Sequence, residues 1–314
     1  MALLLSRTAE RLYWAARYLE RAEDTSRMVL AFGELFDDLP PARSGILGDG
    51  RWTALLAVFG NGVTDDDTLT ENDVAQRLIV DPDRPGSVAS SVGLARENLR
   101  TTRELLPRAA WRAVNDLSLF VNDEVGRAAD RRFRGRVLRR VVDDSRRLDG
   151  ILTSSMTRDD AWEVWRLGRY LERADMTTRV VGVRAAALMA QDPDEIAYDE
   201  VHWMGVLRSL SALQMYQRAT RGPIEASQVV KFLLFSDDFP RSVLFCLSEI
   251  DRCLERLTDS EPVRHAVVEA RSALLSIMTV ADDGADLDDA MDWVQSLLAK
   301  VHRATTDRYL SIGG

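Results

Sequence analysis

RYLERAEDTSRMV at residues 17–29 and RYLERADMTTRVV at residues 169–181 are two versions of one pattern. The two stretches lie 152 residues apart and are identical at nine of thirteen positions. Such internal similarity decides the architecture, because a repeated stretch implies a repeated structural unit. A spacing of 152 residues is too long for a solenoid repeat, so the pattern predicts one helical bundle that has been doubled.

Two further blocks recur in the same order along the chain. They are Trp52-x-x-x-Leu56, which returns as Trp203-x-x-x-Leu207, and LIVDPDRPGSV at 78–88, which returns as LLFSDDFPRSV at 233–243. Three collinear blocks predict a tandem duplication with halves 1–155 and 156–314. The halves join near residues 150–157 without a flexible linker, so we predict a single domain over residues 1–314, with the two halves packed as one unit about a pseudo-two-fold axis.

Apolar spacing predicts helices nearly throughout the chain. In the first block, Leu12, Ala15 and Leu19 fall on one side of a helical wheel and the charged side chains fall on the other. The same periodicity runs through residues 87–106, 109–122, 136–153, 160–190, 201–219, 226–235, 242–257, 262–280 and 288–310. No segment combines strand alternation with hairpin signals, so the predicted fold class is all-α.

Helix boundaries are predicted from capping and helix-breaking residues. Loops are expected at Asp37–Gly50, at Asn61-Gly62, at Asp65–Asp67 and at Gln191–Ala197, and a break or first turn at Pro107. Capped helix starts are expected at Thr70 with Asp73, at Ser87, at Ser242, and at Thr157 with Asp160.

Composition and charge exclude several classes of function. The chain has 314 residues, 46% of them hydrophobic, and its net charge of −9 argues against general nucleic-acid binding. No apolar run approaches the roughly 20 residues of a membrane span, and MALLLSR at the start is too short for a signal peptide. We therefore expect a cytoplasmic protein with no membrane association. Cys246 and Cys253 are expected to be reduced core thiols.

The first block carries a charged arc that the second block repeats. The residues kept in both copies are Arg17, Glu20, Arg21 and Arg27 in the first, and Arg169, Glu172, Arg173 and Arg179 in the second. Asp24, which lies between them, becomes Met176 in the second copy. A position that accepts methionine is not expected to face open water in both copies.

Three interpretations of this arc are open. The first is a solvated surface with weak ion pairs along one helix. The second is a buried interface in which Arg17 pairs with Glu172 and Glu20 pairs with Arg169 across the pseudo-two-fold axis. The third is a substrate-binding polar pocket, in which planar guanidinium groups hold a carboxylate, a phosphate or a peptide terminus.

Three stretches carry a resemblance to a known family. They are LLSRTAERLYWAARYLERAEDTSR near the start, ARENLRTTRELLPRAAWRAVN at 95–115 and MTRDDAWEVWRLGRYLERADMTTR at 156–179. On these stretches the chain resembles the alpha-E domain family, bacterial all-helical proteins named for a Glu-Arg motif. The resemblance implies motif pairs at Glu20-Arg21 and Glu172-Arg173. It also implies a circularly permuted ATP-grasp protein as partner, often with a transglutaminase-like protein, in ATP-dependent formation of amide or peptide bonds.

Other motifs that carry chemistry are missing from the sequence. There is no GxxxxGK[ST] or GxGxxG motif, so no cofactor is expected in this chain and ATP is expected only on a partner. The three histidines lack the Glu-x-x-His spacing of di-iron bundles, and no HExxH occurs, so no metal site is predicted. No nucleophile signature occurs either, which leaves catalytic residues unknown and enzymatic activity open.

The leading hypothesis is a helical partner, or substrate-holding component, of an ATP-grasp-type amide or peptide ligase. Arg17, Arg21, Arg169 and Arg173 would hold the substrate, and the two glutamates would orient them or bind an amine. One alternative is a structural interaction protein whose Glu-Arg pairs only hold the fold and whose arginine-rich segment Arg127–Arg147 docks a partner. Another is an autonomous enzyme that uses the Glu-Arg pocket for acid–base chemistry.

Overall fold

A computed structural model of the chain confirms the all-α fold class. It describes residues 4–38, 52, 55, 56, 58, 59, 69–189, 199–277 and 287–311, and within these ranges there is no β-strand. The helices whose bounds lie within the described part of the first 155 residues are α1 (Ser6–Asp38), α2 (Glu71–Ala75), α3 (Val88–Arg100), α4 (Arg108–Glu124) and α5 (Arg131–Ser155). Those that follow are α6 (Asp160–Met189), α7 (Asp199–Ser209), α8 (Leu213–Thr220), α9 (Ala226–Phe235), α10 (Val243–Leu254), α11 (Glu261–Ser276) and α12 (Leu287–Thr305).

Short segments of other helical types continue some of these helices. The 3₁₀ segments are Arg103–Leu105 after α3 and Val125–Ala129 after α4. The π-helical turns are Gln76–Val80 after α2 and Thr306–Leu310 after α12.

Most of the predicted helix starts are confirmed. The Thr70 hydroxyl accepts from the backbone N–H of Asp73, whose carboxylate accepts from the backbone N–H of Thr70, so α2 opens with a capping box. Ser87 and Ser242 each accept a backbone N–H three residues on, which caps α3 and α10. Pro107 lies in the break directly before α4.

Two predictions about boundaries are wrong. Thr157 does not cap α6, because the helix begins later and the Asp159 carboxylate accepts from the backbone N–H of Ala161 at 3.1 Å. The helix predicted over 201–219 is two helices. Ser211 between them has φ of 52°, a left-handed conformation that no α-helix can contain.

Helix α1 occupies the centre of the fold. It packs against α3, α5, α6 and α7, and α6 packs in turn on α10 and α12. The backbones of α1 and α6 approach closely at Gly168, where an added Cβ would lie about 2.5 Å from the carbonyl oxygen of Tyr13. Glycine at this position therefore lets the two charged arcs face each other at short range.

The buried apolar side chains of both halves form one cluster. Leu56 and Leu207, equivalent positions of the second repeat block, are both fully buried in it. Cys246 and Cys253 are buried free thiols on α10, as predicted. Burial raises the pKa of the Cys246 thiol to about 12, so it is not ionised near neutral pH.

Some sequence predictions cannot be compared with the fold. The loops expected at 39–50, at Asn61-Gly62, at Asp65–Asp67 and at Gln191–Ala197 lie outside the described residues, although α1 does include Asp37 and Asp38. The tandem duplication stays a prediction from the sequence. None of the helices described is both long enough and apolar enough to cross a lipid bilayer.

Candidate functional site

The charged arc of α1 faces the corresponding arc of α6 inside the molecule. Arg17 and Glu20 on α1 are 8% and 4% exposed, and Glu172 on α6 is fully buried. The solvated-surface interpretation is therefore wrong for these residues. Both ion pairs of the buried-interface interpretation, Arg17–Glu172 and Arg169–Glu20, are present.

Glu172 is held by two arginines from α1. Arg17 Nε donates to Oε2 at 2.6 Å, and Arg21 Nε donates to Oε1 at 2.5 Å. Burial opposes ionisation of the Glu172 carboxyl, but the charges of Arg17 and Arg21 prevail and lower its pKa to about 2. Glu172 is therefore an anion throughout the physiological pH range.

A histidine from α12 extends this arrangement. The Tyr13 hydroxyl lies 2.8 Å from His302 Nδ1, and Arg17 Nη1 lies 3.2 Å from the same nitrogen. Arginine can only donate, so Nδ1 accepts and carries no proton. Burial and the Arg17 charge lower the pKa of His302 to about 4, which keeps the imidazole neutral near pH 7. We call this set the Glu172 cluster: Tyr13, Arg17, Arg21, Glu172 and His302.

Glu20 is held by three arginines, two from α6 and one from the loop before α10. Arg173 Nε donates to Oε1 at 2.7 Å, and Arg169 Nε donates to Oε2 at 3.2 Å. Arg241 Nη1 donates to Oε1 at 2.8 Å. Burial opposes the ionisation of Glu20, but the charges of Arg173, Arg241 and Arg169 hold its pKa well below the usual range.

Arg241 also connects Glu20 to two further acids of α1. Its Nη1 donates to Asp24 Oδ1 at 2.9 Å and its Nη2 to Glu23 Oε1 at 3.0 Å, and Arg27 pairs with both acids as well. Burial raises the pKa of Asp24 to about 6 in spite of the neighbouring arginines. We call the set around Glu20 the Glu20 cluster: Glu20, Glu23, Asp24, Arg27, Arg169, Arg173 and Arg241.

The eight residues predicted as a polar site are not all brought together. Six of them meet across the interface of α1 and α6, whereas Arg27 and Arg179 pair within their own helices. Arg27 is buried and also donates to the backbone oxygen of Ser209. The side chain of Arg179 is 31% exposed and donates to Asp175 at 2.8 Å.

The loops before α3 and α10 belong to the third repeat block and share a hydrogen bond. In each loop the capping serine, Ser87 or Ser242, donates to the backbone oxygen six residues earlier. Arg241 of the second loop corresponds in the repeat to Gly86 of the first. Gly86 has φ of 88°, which favours glycine, and lies beside Arg21. The cation that closes the Glu20 cluster is therefore replaced by a glycine at the Glu172 cluster.

A small cavity lies between α1, α5 and α6, beside the Glu20 cluster. It measures about 20 Å³, which is room for one water-sized group. Its polar lining is Glu20, Glu23, Ser145, Asp149, Trp165 and Arg169, and its apolar lining is Ala16, Leu19 and Leu148. Arg169 also pairs with Asp149, which links the cavity rim to Glu20. Within the described part of the chain, no group of three or more His, Cys, Asp or Glu side chains is arranged to hold a metal ion.

Sequence reasoning missed Arg241, Asp149 and His302. Arg241 and His302 lie more than 200 residues along the chain from the α1 residues they contact, which no local pattern reveals. A signal for Arg241 was nevertheless available, because the third repeat block places this arginine opposite Gly86. For His302, the spacing from acidic residues in the sequence gives no reason to place it beside Arg17.

A protein family described as "a predicted alpha-helical domain with a conserved ER motif" matches residues 4–310. The chain belongs to the Alpha-E family. Its two Glu-Arg pairs, Glu20-Arg21 and Glu172-Arg173, supply the central carboxylates of the two clusters in this Alpha-E protein.

Relatives of this Alpha-E chain occur in mycobacteria. Uncharacterized proteins of Mycobacterium bovis and of Mycobacterium tuberculosis strain H37Rv are each 24% identical to it over 268 residues. These alignments cover 79% of the chain but only 29% of each mycobacterial protein, so the chain spans less than a third of the curated relatives it matches. No solved structure matches the chain.

The arginine-rich segment Arg127–Arg147 is divided between interior and surface. Arg134 is buried and pairs with Glu71, whereas Arg136 is exposed and pairs with Glu124. Part of the segment therefore holds α5 against α2 and the end of α4. Its role as a docking surface stays a prediction.

Proposed function

We propose that the chain is the substrate-holding helical partner of an ATP-grasp-type amide or peptide ligase in the cytoplasm. Membership of the Alpha-E family supports this, because the resemblance implies association with circularly permuted ATP-grasp proteins and with transglutaminase-like proteins. ATP would be bound by the ligase, since the sequence has no phosphate-binding motif of its own. Neither nucleic acid nor a membrane has a part in this proposal.

The cavity beside the Glu20 cluster is the observation that carries the proposal. Arg17 and Arg173, two of the arginines expected to hold substrate, are buried and bonded to glutamates. Arg169 differs, because it borders the cavity together with Asp149. At the cavity, the ion-paired side chains of Glu20, Asp149 and Arg169 therefore border a space that is not filled by other residues. A holding role needs such a place and leaves the bond-forming chemistry to the partner.

Affinity purification of the tagged chain from its native host, read by mass spectrometry, tests the partner. We expect an ATP-grasp protein to be recovered with the wild type and equally with Asp149→Asn, because the cavity serves substrate and not docking. Absence of any ATP-grasp protein from the wild-type sample would contradict the proposal.

Ligation reconstituted from the recovered components tests the holding role. We expect Asp149→Asn to lower product formation about tenfold, the effect of losing one hydrogen bond to a charged group. The matched control is Asp143→Asn, because Asp143 is exposed on the same helix and does not line the cavity. Equal ligation by the two folded variants would contradict a holding role at the cavity.

A non-catalytic interaction protein is a second candidate function, and the closed ion-pair network favours it. Buried ion pairs such as Arg17–Glu172 fix register and orientation more effectively than they stabilise a fold. In that case cavity variants leave ligation unchanged, and Glu20→Gln lowers ligation only to the extent that it unfolds the chain. Comparing ligation with the folded fraction of each variant separates the two candidates.

A further inference from the structure

Three residues bring the otherwise buried middle of α1 to the surface of the molecule. Between residues 12 and 29, every side chain of this helix is buried except those of Trp14, Tyr18 and Arg21. Their spacing of four and three residues places them on one face of the helix, and we call them the α1 stripe. The rings of Trp14 and Tyr18 stack with their centroids 5.6 Å apart, and the side chain of Arg21 is 24% exposed.

The corresponding face of α6 is covered by two large side chains that the α1 stripe lacks. Phe245 of α10 contacts Tyr170 of α6, with ring centroids 6.2 Å apart, and Arg241 bonds within the Glu20 cluster. Helix α3 packs on α1, and α10 packs on α6. At the spacing of the third repeat block, the positions of Phe245 and Arg241 correspond to Ser90 and Gly86. A small residue thus replaces each of the two large side chains, and the stripe is left open.

The guanidinium of Arg21 has two unused nitrogens at this open face. Among the described residues it has a partner only at Nε, which donates to Glu172 at 2.5 Å. Neither Nη1 nor Nη2 belongs to the fully buried unpaired atoms of the described structure, so both reach solvent. A guanidinium in this state presents a planar pair of donors, which fits two oxygens of a carboxylate or a phosphate.

The charge around Arg21 favours an anion with a single negative charge. Arg17 and Arg21 carry two positive charges and share the one negative charge of Glu172. The imidazole of the Glu172 cluster is neutral near pH 7, and the further acid Asp175 is balanced by its pair with Arg179. One positive charge is therefore left over. A carboxylate matches it, whereas a phosphate monoester carries about 1.5–2 negative charges at pH 7.

We propose that the α1 stripe binds the carboxylate end of an amino acid or peptide. The two Nη groups of Arg21 donate to the carboxylate oxygens, and the rings of Trp14 and Tyr18 pack against the carbon atoms next to the carboxylate. The binding is argued from the stripe alone. Its biological role, to hold the acid component for amide formation, rests on the proposed function.

Titration of the full-length chain, labelled with ¹³C in its tyrosine rings, tests the binding without any ligase. The readout is the ring signal of Tyr18 in NMR, assigned by its loss in Tyr18→Phe. The ligand is N-acetylleucine, whose carboxylate is ionised at pH 7. We expect a saturable shift with a Kd in the millimolar range, as for a ligand of few atoms. N-acetylleucinamide, which has the same body without the charge, and inorganic phosphate are both expected to bind at least tenfold more weakly.

Two variants and a control locate the binding at the stripe. Arg21→Gln removes the pair of donors and is expected to weaken N-acetylleucine binding at least tenfold. Ser90→Phe introduces the ring that α10 carries at the corresponding position, and is expected to block the stripe while the bond from Arg21 to Glu172 stays intact. Arg112→Gln is the matched control, because Arg112 is exposed on α4 outside the stripe, and we expect it to leave binding unchanged.

Three results would overturn the proposal. They are the absence of a saturable shift with N-acetylleucine, equal binding of its amide or of inorganic phosphate, and unchanged binding by a folded Arg21→Gln or Ser90→Phe variant. Ser90→Phe keeps every ion pair of the Glu172 cluster, so the test stands even if Arg21→Gln does not fold. Each of these results leaves recovery of an ATP-grasp partner untouched, so the two proposals fail separately.

Discussion

Glu20 and Glu172 hold equivalent positions in the two repeat blocks, but their surroundings differ. The Glu20 cluster is closed by Arg241, whose side chain is only 10% exposed. At the Glu172 cluster the corresponding position is Gly86, and the side chain of Arg21 is 24% exposed. The same motif therefore holds one buried carboxylate among three arginines and a second, equally buried, between two arginines, of which Arg21 is partly exposed.

The difference lies in the neighbours of the motif and not in the motif itself. The loop before α10 adds a cation to one cluster, and α12 adds the neutral imidazole of His302 to the other. The identity of a residue in the repeated pattern thus predicts its partner across the interface, but not its hydration. Hydration is set by elements that contact the motif from outside its own repeat block.

The largest expected effect is a difference between the two glutamates. We expect Glu172→Gln to lower the free energy of unfolding by about 3–5 kcal/mol, because it leaves Arg17 buried without another acid partner among the described residues. Glu20→Gln is expected to cost about 1–3 kcal/mol, since Arg241 keeps its bonds to Glu23 and Asp24, and Arg169 keeps its bond to Asp149. Urea unfolding followed by circular dichroism measures both values. Equal losses would show that the two clusters are not distinct in energy.

Removal of Arg241 is expected to have the next largest effect. We expect Arg241→Ala to lower the free energy of unfolding by about 2–3 kcal/mol, since Glu20, Glu23 and Asp24 all lose a charged donor. Arg252→Ala on α10 is the matched control, with a side chain 65% exposed, and surface changes of this kind usually stay within about 0.5 kcal/mol. If Arg241→Ala resembles this control, Arg241 does not close the Glu20 cluster.

The two clusters are expected to respond to pH with opposite signs. Asp24 has its pKa raised from 3.8 to about 6, so the folded state keeps a proton that the unfolded state releases, and stability falls as pH rises from 4 to 6. His302 has its pKa lowered from 6.5 to about 4, so the unfolded state takes up a proton that the folded state refuses, and stability falls as pH drops from 6.5 to 4.

Melting temperatures between pH 4 and pH 7 separate these two contributions. Relative to the wild type, Asp24→Asn is expected to gain stability progressively as pH rises toward 6, because it removes the penalty of ionising Asp24. His302→Gln is expected to gain stability as pH falls toward 4. If the melting temperature of each variant differs from that of the wild type by the same amount at every pH, Asp24 and His302 do not cause the pH dependence of stability.

The smallest expected effect is that of Ser145→Ala. The Ser145 hydroxyl is buried and has no hydrogen-bond partner within the described structure, so its removal is expected to raise the free energy of unfolding by about 1 kcal/mol. Urea unfolding beside the two glutamate variants measures it. A loss above about 1 kcal/mol would mean that the hydroxyl bonds to a group that stabilises the fold.

The sequence predicted the features that depend on local patterns. Apolar periodicity predicted the helices, and serine at the repeated loops predicted the caps at Ser87 and Ser242. The repeated charged arc left three interpretations open, and the buried-interface interpretation names the two ion pairs that the structure shows between α1 and α6. Thr157 failed as a cap because Asp159, directly before the helix, bonds the same free N–H groups.

Features that depend on distant segments were not predictable in this way. The cavity exists because α5 places Ser145 and Asp149 against Trp165 of α6, and no spacing within one helix encodes that approach. The break at Ser211 is also invisible to periodicity, since apolar residues continue on both sides of it. The sequence thus predicts the individual helices but not which helices contact each other.

The bond between Tyr13 and His302 has a consequence for the order of synthesis. The two residues are 289 positions apart, which a ribosome covers in roughly 15–60 s at about 5–20 residues per second. For that time α12 is not yet complete, so α1 is made without the helix that supplies His302. Its arginines and glutamates then face water and keep the waiting helix soluble. The ion-paired residues that are buried in the folded protein are therefore exposed to water while the chain is still being made.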